Sequence, residues 1–317
     1  MRRGRQIAEL IGWSAVAGMG AVMLSQAAGV DGTRALSSAQ ALTPFGIPIV
    51  VGVAAGAVWR RSHTLAVASA SVGIAALLLA APIVFPAGQD PVRADAAGLR
   101  AASINLLYSN PSVDLLADDL LRRDPDVIVF SEYTVPHQQT LLAHALADRY
   151  PYRIDHALRG AGGMAMWSKF PLTESSQPET SRRVIEADLD GPDGPILVLG
   201  VHPPTPIHDH DAWSADLDAL GDRAGDAAVP TLMIGDFNAS YWNPVFRSLL
   251  DHDLVDAHIA HGRGWSPSWP TDELVPPFVR LDHALTGNGL VSTDVDDFEV
   301  PGSDHAGFVV TVKPAEN

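Results

Sequence analysis

The chain has 317 residues, which is enough for one large domain with additional elements, and its formal net charge is −16. The absence of cysteine excludes disulfides, zinc–thiolate sites and thiol nucleophiles. Of the 21 basic and 37 acidic residues, only six and three precede residue 92, so the remainder carries 15 basic and 34 acidic residues, a net charge of −19. Such a charge repels polyanions and argues against unaided nucleic-acid binding.

Three apolar runs open the chain, at about residues 7–30, 41–58 and 64–86. Each is close to the roughly 20 residues that cross a bilayer as a helix. The first run could instead be a signal peptide, because arginines precede it and Ser25–Ala28 consists of small or polar residues. Two further runs follow directly, and buried core helices of this composition would be unusually poor in charge. We therefore predict a membrane domain over residues 1–90 with three transmembrane helices.

The arginines around the apolar runs predict the orientation of these helices. Arg2, Arg3 and Arg5 precede the first run, and Arg60 and Arg61 follow the second. Basic segments stay on the cytoplasmic side, so both of these segments are expected to lie inside. Three spans then place the rest of the chain outside the cell. The prediction is a multi-pass cell-membrane protein with a linker at residues 91–99 and an extracellular domain at residues 100–317.

The outer region alternates strand and helix patterns in the manner of an α/β domain. Apolar, β-branched runs predict strands at residues 100–107, 126–130, 163–168, 184–189, 196–201, 231–234, 278–285 and 308–312. Helical periodicity and capping residues predict helices at residues 112–123, 137–149, 209–226 and 243–250. The turn-rich segment 190–194 joins two of the strands as a hairpin.

Polar residues stand where these apolar runs stop, which is where ligands bind in α/β sheets. They are Asn105, Glu132, His202, Asp236, Asn238, Asp282, Asp304 and His305. Taken singly, each is more simply explained as a turn former, a helix cap or a surface residue. Together they supply carboxylates for a hard cation, a carboxylate to activate water, and imidazoles to stabilise phosphate charge.

The motifs around these residues resemble the endonuclease/exonuclease/phosphatase superfamily, whose fold is that of deoxyribonuclease I. They read SINL at 103–106, DVIVFSE at 126–132, IGDFN at 234–238, RLDH at 280–283 and GSDH at 302–305. The resemblance covers about residues 100–312. It implies a four-layer α/β sandwich, preceded here by the three transmembrane helices, and a phosphoester hydrolase.

The resemblance also implies a metal site. Glu132 is expected to be the principal Mg²⁺ ligand, assisted by Asn105, and Asp304 is expected to contact a metal. Mn²⁺ is the alternative ion. The resemblance leaves open whether one or two ions take part.

The remaining roles concern water and phosphate. The resemblance implies that Asp236 activates or orients the attacking water and that Asn238 stabilises the pentavalent transition state. His202 and His305 are expected to contact the phosphate, with Asp282 orienting the ring of His305.

The three-span arrangement resembles the bacterial three-span teicoplanin-resistance membrane proteins of the same superfamily. It implies a phosphorylated substrate in the envelope, such as a polyprenyl diphosphate or another phospholipid, with the lipid bilayer as partner. A membrane-anchored extracellular nuclease, a soluble phosphodiesterase and a non-catalytic binding module stay open as alternatives. Tyr241, Trp242, Trp265 and Trp269 could contact lipid chains or could simply pack in the core.

Overall fold

The N-terminal third consists of helices. The computed structural model describes residues 2–86, 88–175, 179–272 and 274–316, and its first four helices are α1 (Arg2–Ala27), α2 (Arg34–Ala41), α3 (Thr43–Trp59) and α4 (His63–Val84). Helices α1 and α4 are each long and apolar enough to cross a membrane. Helices α2 and α3 meet at a 67° bend and form a third span only if the bent pair is counted as one. The predicted apolar helices are thus present, and two or three of them qualify as spans.

Helix α2 was not predicted, because residues 31–40 read as a polar loop between two spans. Its first turn is capped by Thr33, whose side-chain oxygen accepts a hydrogen bond of 3.2 Å from the Leu36 N–H. The segment is short and carries no helical stripe of large apolar residues, so periodicity could not reveal it.

The rest of the chain builds two six-stranded sheets. The strands are β1 (Leu99–Asn105), β2 (Val127–Ser131), β3 (Tyr152–His156), β4 (Met164–Ser168), β5 (Leu172–Glu174), β6 (Ile185–Gly191), β7 (Gly194–Val201), β8 (Thr231–Asp236), β9 (Val255–Asp256), β10 (Asp282–Gly287), β11 (Leu290–Glu299) and β12 (Ala306–Pro314). One sheet has the order β11-β12-β1-β2-β4-β3 and the other β5-β6-β7-β8-β10-β9. Each contains one parallel pair, β1 with β2 and β7 with β8, and these pairs form the centre of the fold.

Helices cover the outer faces of both sheets. They are α5 (Val113–Arg123), α6 (Val135–Ala143), α7 (His210–Gly225) and α8 (Pro244–Leu250). The single-turn α9 (Ala257–Ala260) contacts β10 and β11, which belong to different sheets, and its Ala257 is part of the apolar cluster between the sheets. One apolar cluster lies between the sheets, a second lies under α5 and α6, and a third lies under α7 and α8. The result is a four-layer α/β sandwich, as the family resemblance implied.

The structure corrects several predicted boundaries. The helix expected at residues 137–149 is split, because His144 takes an extended conformation with ψ 151° and its ring caps the 3₁₀ turn Ala145–Arg149. The strand expected from residue 278 begins only at Asp282. Strand β11 was missed because its second half alternates polar residues outward, as an edge strand does, and presents no continuous apolar run.

The predicted linker lies along the sandwich. Val92 forms a β-bridge with Ala315, and Gln89 exchanges hydrogen bonds with Ser292 on β11. The segment between α4 and β1 is therefore attached to the sandwich.

Candidate active site

The topology brings the predicted polar residues to one edge of the sandwich. Strands β1 and β2 are parallel and in register at Asn105 and Ser131, so Asn105 ends one strand beside Glu132, which follows the other. In the second sheet, Asp236 is the last residue of β8 and pairs with Asp282, the first residue of β10. The carboxyl ends of the parallel strands meet at one edge, and antiparallel β10 begins at that same edge, so these side chains converge on one site.

Asp236 lies at the centre of the site. Its Oδ1 accepts a 2.8 Å hydrogen bond from the Asn238 N–H, and its Oδ2 accepts one of 2.9 Å from Asn105 Nδ2. The Nε2 atoms of His202 and His305 lie 3.7 and 3.8 Å from the same Oδ2. Asp236 is 1% exposed, and this burial raises its pKa above the usual carboxyl value.

Asp282 orients His305, as the resemblance implied. Oδ2 of this carboxylate lies 2.8 Å from His305 Nδ1, which leaves Nε2 directed toward Asp236. Burial opposes a charge on the imidazole, but Asp282 and Asp236 outweigh it and raise the pKa of His305 to about 10. His305 is therefore a buried cation next to two carboxylates.

His202 is the second imidazole of the site and differs in charge. It follows β7, is 3% exposed, and has a pKa lowered to about 4, chiefly by burial. At neutral pH the imidazole is uncharged, so it can donate a hydrogen bond without adding positive charge to the site. The two histidines thus offer one neutral and one cationic group.

Glu132 and Asn105 come from the ends of β2 and β1, in the other sheet. Glu132 has a φ of +56°, a conformation that is uncommon for residues other than glycine, and its Oε2 accepts a 2.8 Å hydrogen bond from the Tyr108 N–H. Burial, followed by the charges of Asp236 and Asp304, raises its pKa. The Asn105 Oδ1 accepts a hydrogen bond from the Leu107 N–H while its Nδ2 donates to Asp236, so its amide holds the loop as well as facing the site.

Asn238 and Asp304 lie at the rim. Asn238, with a φ of +49°, donates from Nδ2 to the Pro203 carbonyl at 3.1 Å and so ties the loop after β8 to the loop after β7. Asp304 is half-buried, and its Oδ2 accepts a 3.1 Å hydrogen bond from Trp269 Nε1. The structure therefore brings all eight predicted residues to one edge, with Asp304 turned toward a tryptophan.

One group in the described part of the chain has the geometry to hold a metal ion. Asp236, Asp282 and His305 have potential ligand atoms that lie within 4.8 Å of one another, although His305 in its cationic form cannot itself bind a metal. Glu132 is outside this group but is close enough for Asp236 to raise its pKa. Several buried carboxylates with one imidazolium leave excess negative charge, which a divalent cation offsets, so the donor set fits a hard, oxygen-binding ion.

Two buried residues behind the site were not predicted. His283 Nδ1 lies 2.6 Å from Asp256 Oδ2, and His283 Nε2 lies 3.1 Å from the carbonyl of Ala239, the residue after Asn238. The two residues thereby fix the position of the loop that carries Asn238. The sequence contained one signal, since His283 directly follows Asp282 in the RLDH motif. Asp256 ends a two-residue strand that no pattern marked.

The fold and the site define a class: an α/β-sandwich hydrolase with a buried carboxylate–imidazole centre. A family described as "Endonuclease/Exonuclease/phosphatase family" matches residues 102–305. The chain belongs to this family and is a metal-dependent phosphohydrolase. No curated protein sequence matches the chain.

Solved structures share the fold at low identity. An endonuclease/exonuclease/phosphatase from Beutenbergia cavernae is 19% identical, with a TM-score of 0.53 over 69% of this chain and 72% of the other. D. rerio TDP2 complexed with a single-strand DNA product is 14% identical, with a TM-score of 0.57 over 68% and 99%. A 3′ phosphatase, NExo, from Neisseria bound to a product DNA hairpin is 17% identical, with a TM-score of 0.54 over 67% and 98%. At these identities the likeness shows the fold alone.

Proposed function

We propose that this protein is a Mg²⁺-dependent phosphohydrolase anchored in the cell membrane, and that it cleaves a lipid-linked phosphate or diphosphate on the outer side. The observation that carries the proposal is the convergence of Asp236, Asp282 and His305 in a chain with apolar N-terminal helices. This architecture resembles that of the three-span teicoplanin-resistance membrane proteins.

The metal has a defined place in this proposal. Glu132 is its principal ligand, through the oxygen that Tyr108 does not hold, with Asn105 and Asp304 assisting. A bound divalent cation polarises a phosphoryl oxygen and offsets negative charge. Mg²⁺ suits the carboxylate and amide oxygens on this side of the site, and Mn²⁺ is the alternative.

Asp236 is the residue that orients and deprotonates the attacking water. The Asn238 N–H and the Asn105 amide hold its two oxygens, so the carboxylate cannot rotate. Burial raises its pKa, which brings its basicity closer to neutral pH, where a general base works best. Asn238, directly after this turn, is placed to donate to the phosphate in the transition state.

The two histidines contact the phosphate. His305 is kept cationic by Asp282 and Asp236, and it can stabilise the charge that develops on the phosphoryl oxygens. His202 is neutral and can donate one hydrogen bond. No lysine or arginine takes part in this assignment, which is in keeping with the acidity of the domain.

The helices support the membrane anchor. Large apolar side chains on α1, α3 and α4 lie exposed, among them Leu24 at 73%, Val58 at 66% and Leu78 at 69%. An apolar surface of this extent is stable only when lipid or protein covers it. Arg60 and Arg61 follow α3 and favour the cytoplasmic side for that end, which supports an extracellular catalytic domain. We retain residues 1–90 as membrane domain, 91–99 as linker and 100–317 as catalytic domain.

A membrane-anchored nuclease is the second candidate. Two structures that share the fold, TDP2 and NExo, were solved with product DNA. The charge of −19 that the 15 basic and 34 acidic residues give the outer region disfavours DNA on electrostatic grounds, unless metal ions screen it.

The test is a parallel assay of the detergent-purified chain on a polyprenyl diphosphate and on plasmid DNA, with Mg²⁺ or EDTA. Asp236→Asn serves as the blank. We expect Mg²⁺-dependent phosphate release from the lipid and none with the variant. Strand cleavage of DNA without release from the lipid would overturn the lipid assignment and establish the anchored nuclease.

A further inference from the structure

The catalytic domain is held firmly against the N-terminal helices. Residues 241–247, which follow the Asn238 loop, form hydrogen bonds with α1, α4 and the segment between α1 and α3. The bonds are Gln26 Nε2 to Trp242 O (2.7 Å), Asn243 Nδ2 to Ser37 O (3.0 Å), Val245 N to Asp31 Oδ2 (2.8 Å), Arg247 Nη2 to Gln26 O (3.0 Å) and Tyr241 OH to Leu79 O (3.1 Å). Most of the side chains involved are buried, so water does not compete for these bonds.

A path of side-chain contacts leads from the helices to the rim of the active site. Phe45, in the first turn of α3, meets Phe278 edge-on at 5.9 Å between ring centroids. Phe278 meets Trp269 at 5.7 Å, and Trp269 Nε1 donates to Asp304 at 3.1 Å. Asp304 precedes His305. Three consecutive contacts therefore join the end of an apolar helix to the catalytic centre.

The end of α4 is packed against the same side of the domain. Ile83 is 1% exposed and lies so close to Gly264 that a Cβ there would come within 2.6 Å of its Cγ2 atom. The next residue, Trp265, is 46% exposed and contacts Trp242 at 5.7 Å. Half-exposed tryptophan beside the end of an apolar helix is typical of the membrane–water interface.

We infer that this docking surface, formed by Phe45, Phe278, Trp242 and Trp265, holds the active-site rim at the headgroup level of the bilayer. Trp265 adjoins the residue that packs on the last turn of α4, and Asp304 is joined by side-chain contacts to the first turn of α3, so both are fixed relative to the ends of the apolar helices. The partner is the headgroup layer of the bilayer, which the exposed parts of Trp265 and Phe45 can reach. The inference rests on the proposed membrane anchoring and goes beyond it, since a domain on a loose linker would have no fixed height.

A rim at the headgroup level affects how a lipid-linked substrate reaches the active site. A phosphate attached to a lipid lies in the headgroup plane, so a site held at that height meets it without extracting the lipid. Fixed orientation of this kind lowers the entropic cost of bringing reactants together. It also compensates for the negative surface of the domain, which repels free phosphorylated molecules.

The depth of the docking surface can be measured directly, because the chain contains no cysteine. We would attach a nitroxide to Trp265→Cys in the full-length protein, reconstituted in phosphatidylcholine vesicles, and compare its accessibility to oxygen and to a water-soluble nickel complex. Leu115→Cys on α5, 56% exposed and on the opposite sheet's outer layer, is the matched control. We expect headgroup-like accessibility at residue 265 and water-like accessibility at residue 115. Water-like accessibility at both positions would overturn the inference.

Activity gives an independent readout. In the same vesicles, Phe45→Ala and Phe278→Ala should each lower phosphate release from a vesicle-borne polyprenyl diphosphate about fivefold, and the double variant should be no worse than either single one. Hydrolysis of soluble bis(p-nitrophenyl) phosphate should change less than about twofold. Phe85→Ala, which removes an exposed ring after α4, serves as the control.

The outcomes separate the two proposals. Equal losses on lipid and soluble substrate would mean that the ring contact supports the active site generally, and they would overturn the inference while leaving the proposed lipid substrate intact. No release from lipid by the wild-type protein, with Asp236-dependent cleavage of the soluble diester, would overturn the lipid substrate, whatever the nitroxide depth shows.

Discussion

At the scale of single residues, the site depends on the opposite charge states of its two imidazoles. His202 and His305 are both buried, yet the pKa of one is lowered to about 4 and that of the other raised to about 10. Burial alone lowers the pKa of an imidazole, and only His305 has a carboxylate within hydrogen-bonding distance to reverse this effect. In the proposed mechanism, Asp282 is therefore the residue that keeps His305 cationic for contact with the phosphate.

Asp282→Asn tests this role. The amide still accepts or donates a hydrogen bond at Nδ1 but no longer stabilises the imidazolium, so the pKa of His305 falls. We expect kcat to drop by about 10²–10³, the usual cost of losing one transition-state contact. The alkaline limb of the rate profile should move to lower pH, because His305 loses its proton earlier. An unchanged alkaline limb would contradict the assignment, and Asp211→Asn, on the exposed face of α7, should behave as wild type.

A histidine outside the site gives a prediction for stability. His258 is fully buried, its Nε2 lies 3.2 Å from Asp297 Oδ1, and burial with the charge of Arg280 lowers its pKa to about 4. The unfolded chain binds this proton near pH 6.5, so the contribution is complete above pH 6.5 and is lost as pH falls toward 4. The pKa difference corresponds to about 3 kcal/mol of unfolding free energy.

We therefore expect His258→Gln to flatten the pH dependence of stability between pH 6.5 and 4. Urea unfolding followed by tryptophan fluorescence in detergent measures the free energy of unfolding at each pH. His208→Gln, which changes an exposed histidine, should keep the wild-type slope. An identical slope in wild type and His258→Gln would show that His258 does not carry this proton linkage.

At the scale of elements, the sequence predicted what apolar patterns and strand ends can reveal. The strands that end at Asn105, Ser131 and Asp236 are buried along nearly their whole length because both their faces are covered, and each carries a polar residue at or directly after its end. That arrangement makes the site residues recognisable from the amino-acid sequence alone. Strand β9 and helix α9 have only two and four residues, too few for a period to be read.

What sequence could not reveal are contacts between distant segments. The pair Asp256 and His283 is brought together by strands β9 and β10, and each residue alone has no feature that marks it as part of the site.

The glycine of the GDFN motif, by contrast, has a local explanation. Gly235 has a φ of +152°, and a Cβ there would lie 2.1 Å from the Val201 carbonyl oxygen, so this position accepts only glycine. Local backbone geometry therefore explains the glycine of the motif, whereas the Asp256–His283 pair depends on tertiary packing.

At the scale of the whole molecule, the N-terminal helices and the sandwich form a continuous structure. The apolar cluster under α7 and α8 includes Ala80 and Ile83 of α4. Composition predicted two separate units joined by a linker, because the charge density changes sharply near residue 91. Packing between the units depends on complementary surfaces that no composition shift reveals.

The buried carboxylates and histidines are proposed to form a metal-dependent hydrolytic site. The most direct measurement is hydrolysis of bis(p-nitrophenyl) phosphate by the full-length protein, first stripped with EDTA and then titrated with Mg²⁺. We expect no activity after stripping, saturable recovery with Mg²⁺, a higher half-saturating Mg²⁺ concentration for Glu132→Gln and no recovery for Asp236→Asn. Activity that survives EDTA, or that survives in Asp236→Asn, would contradict the account.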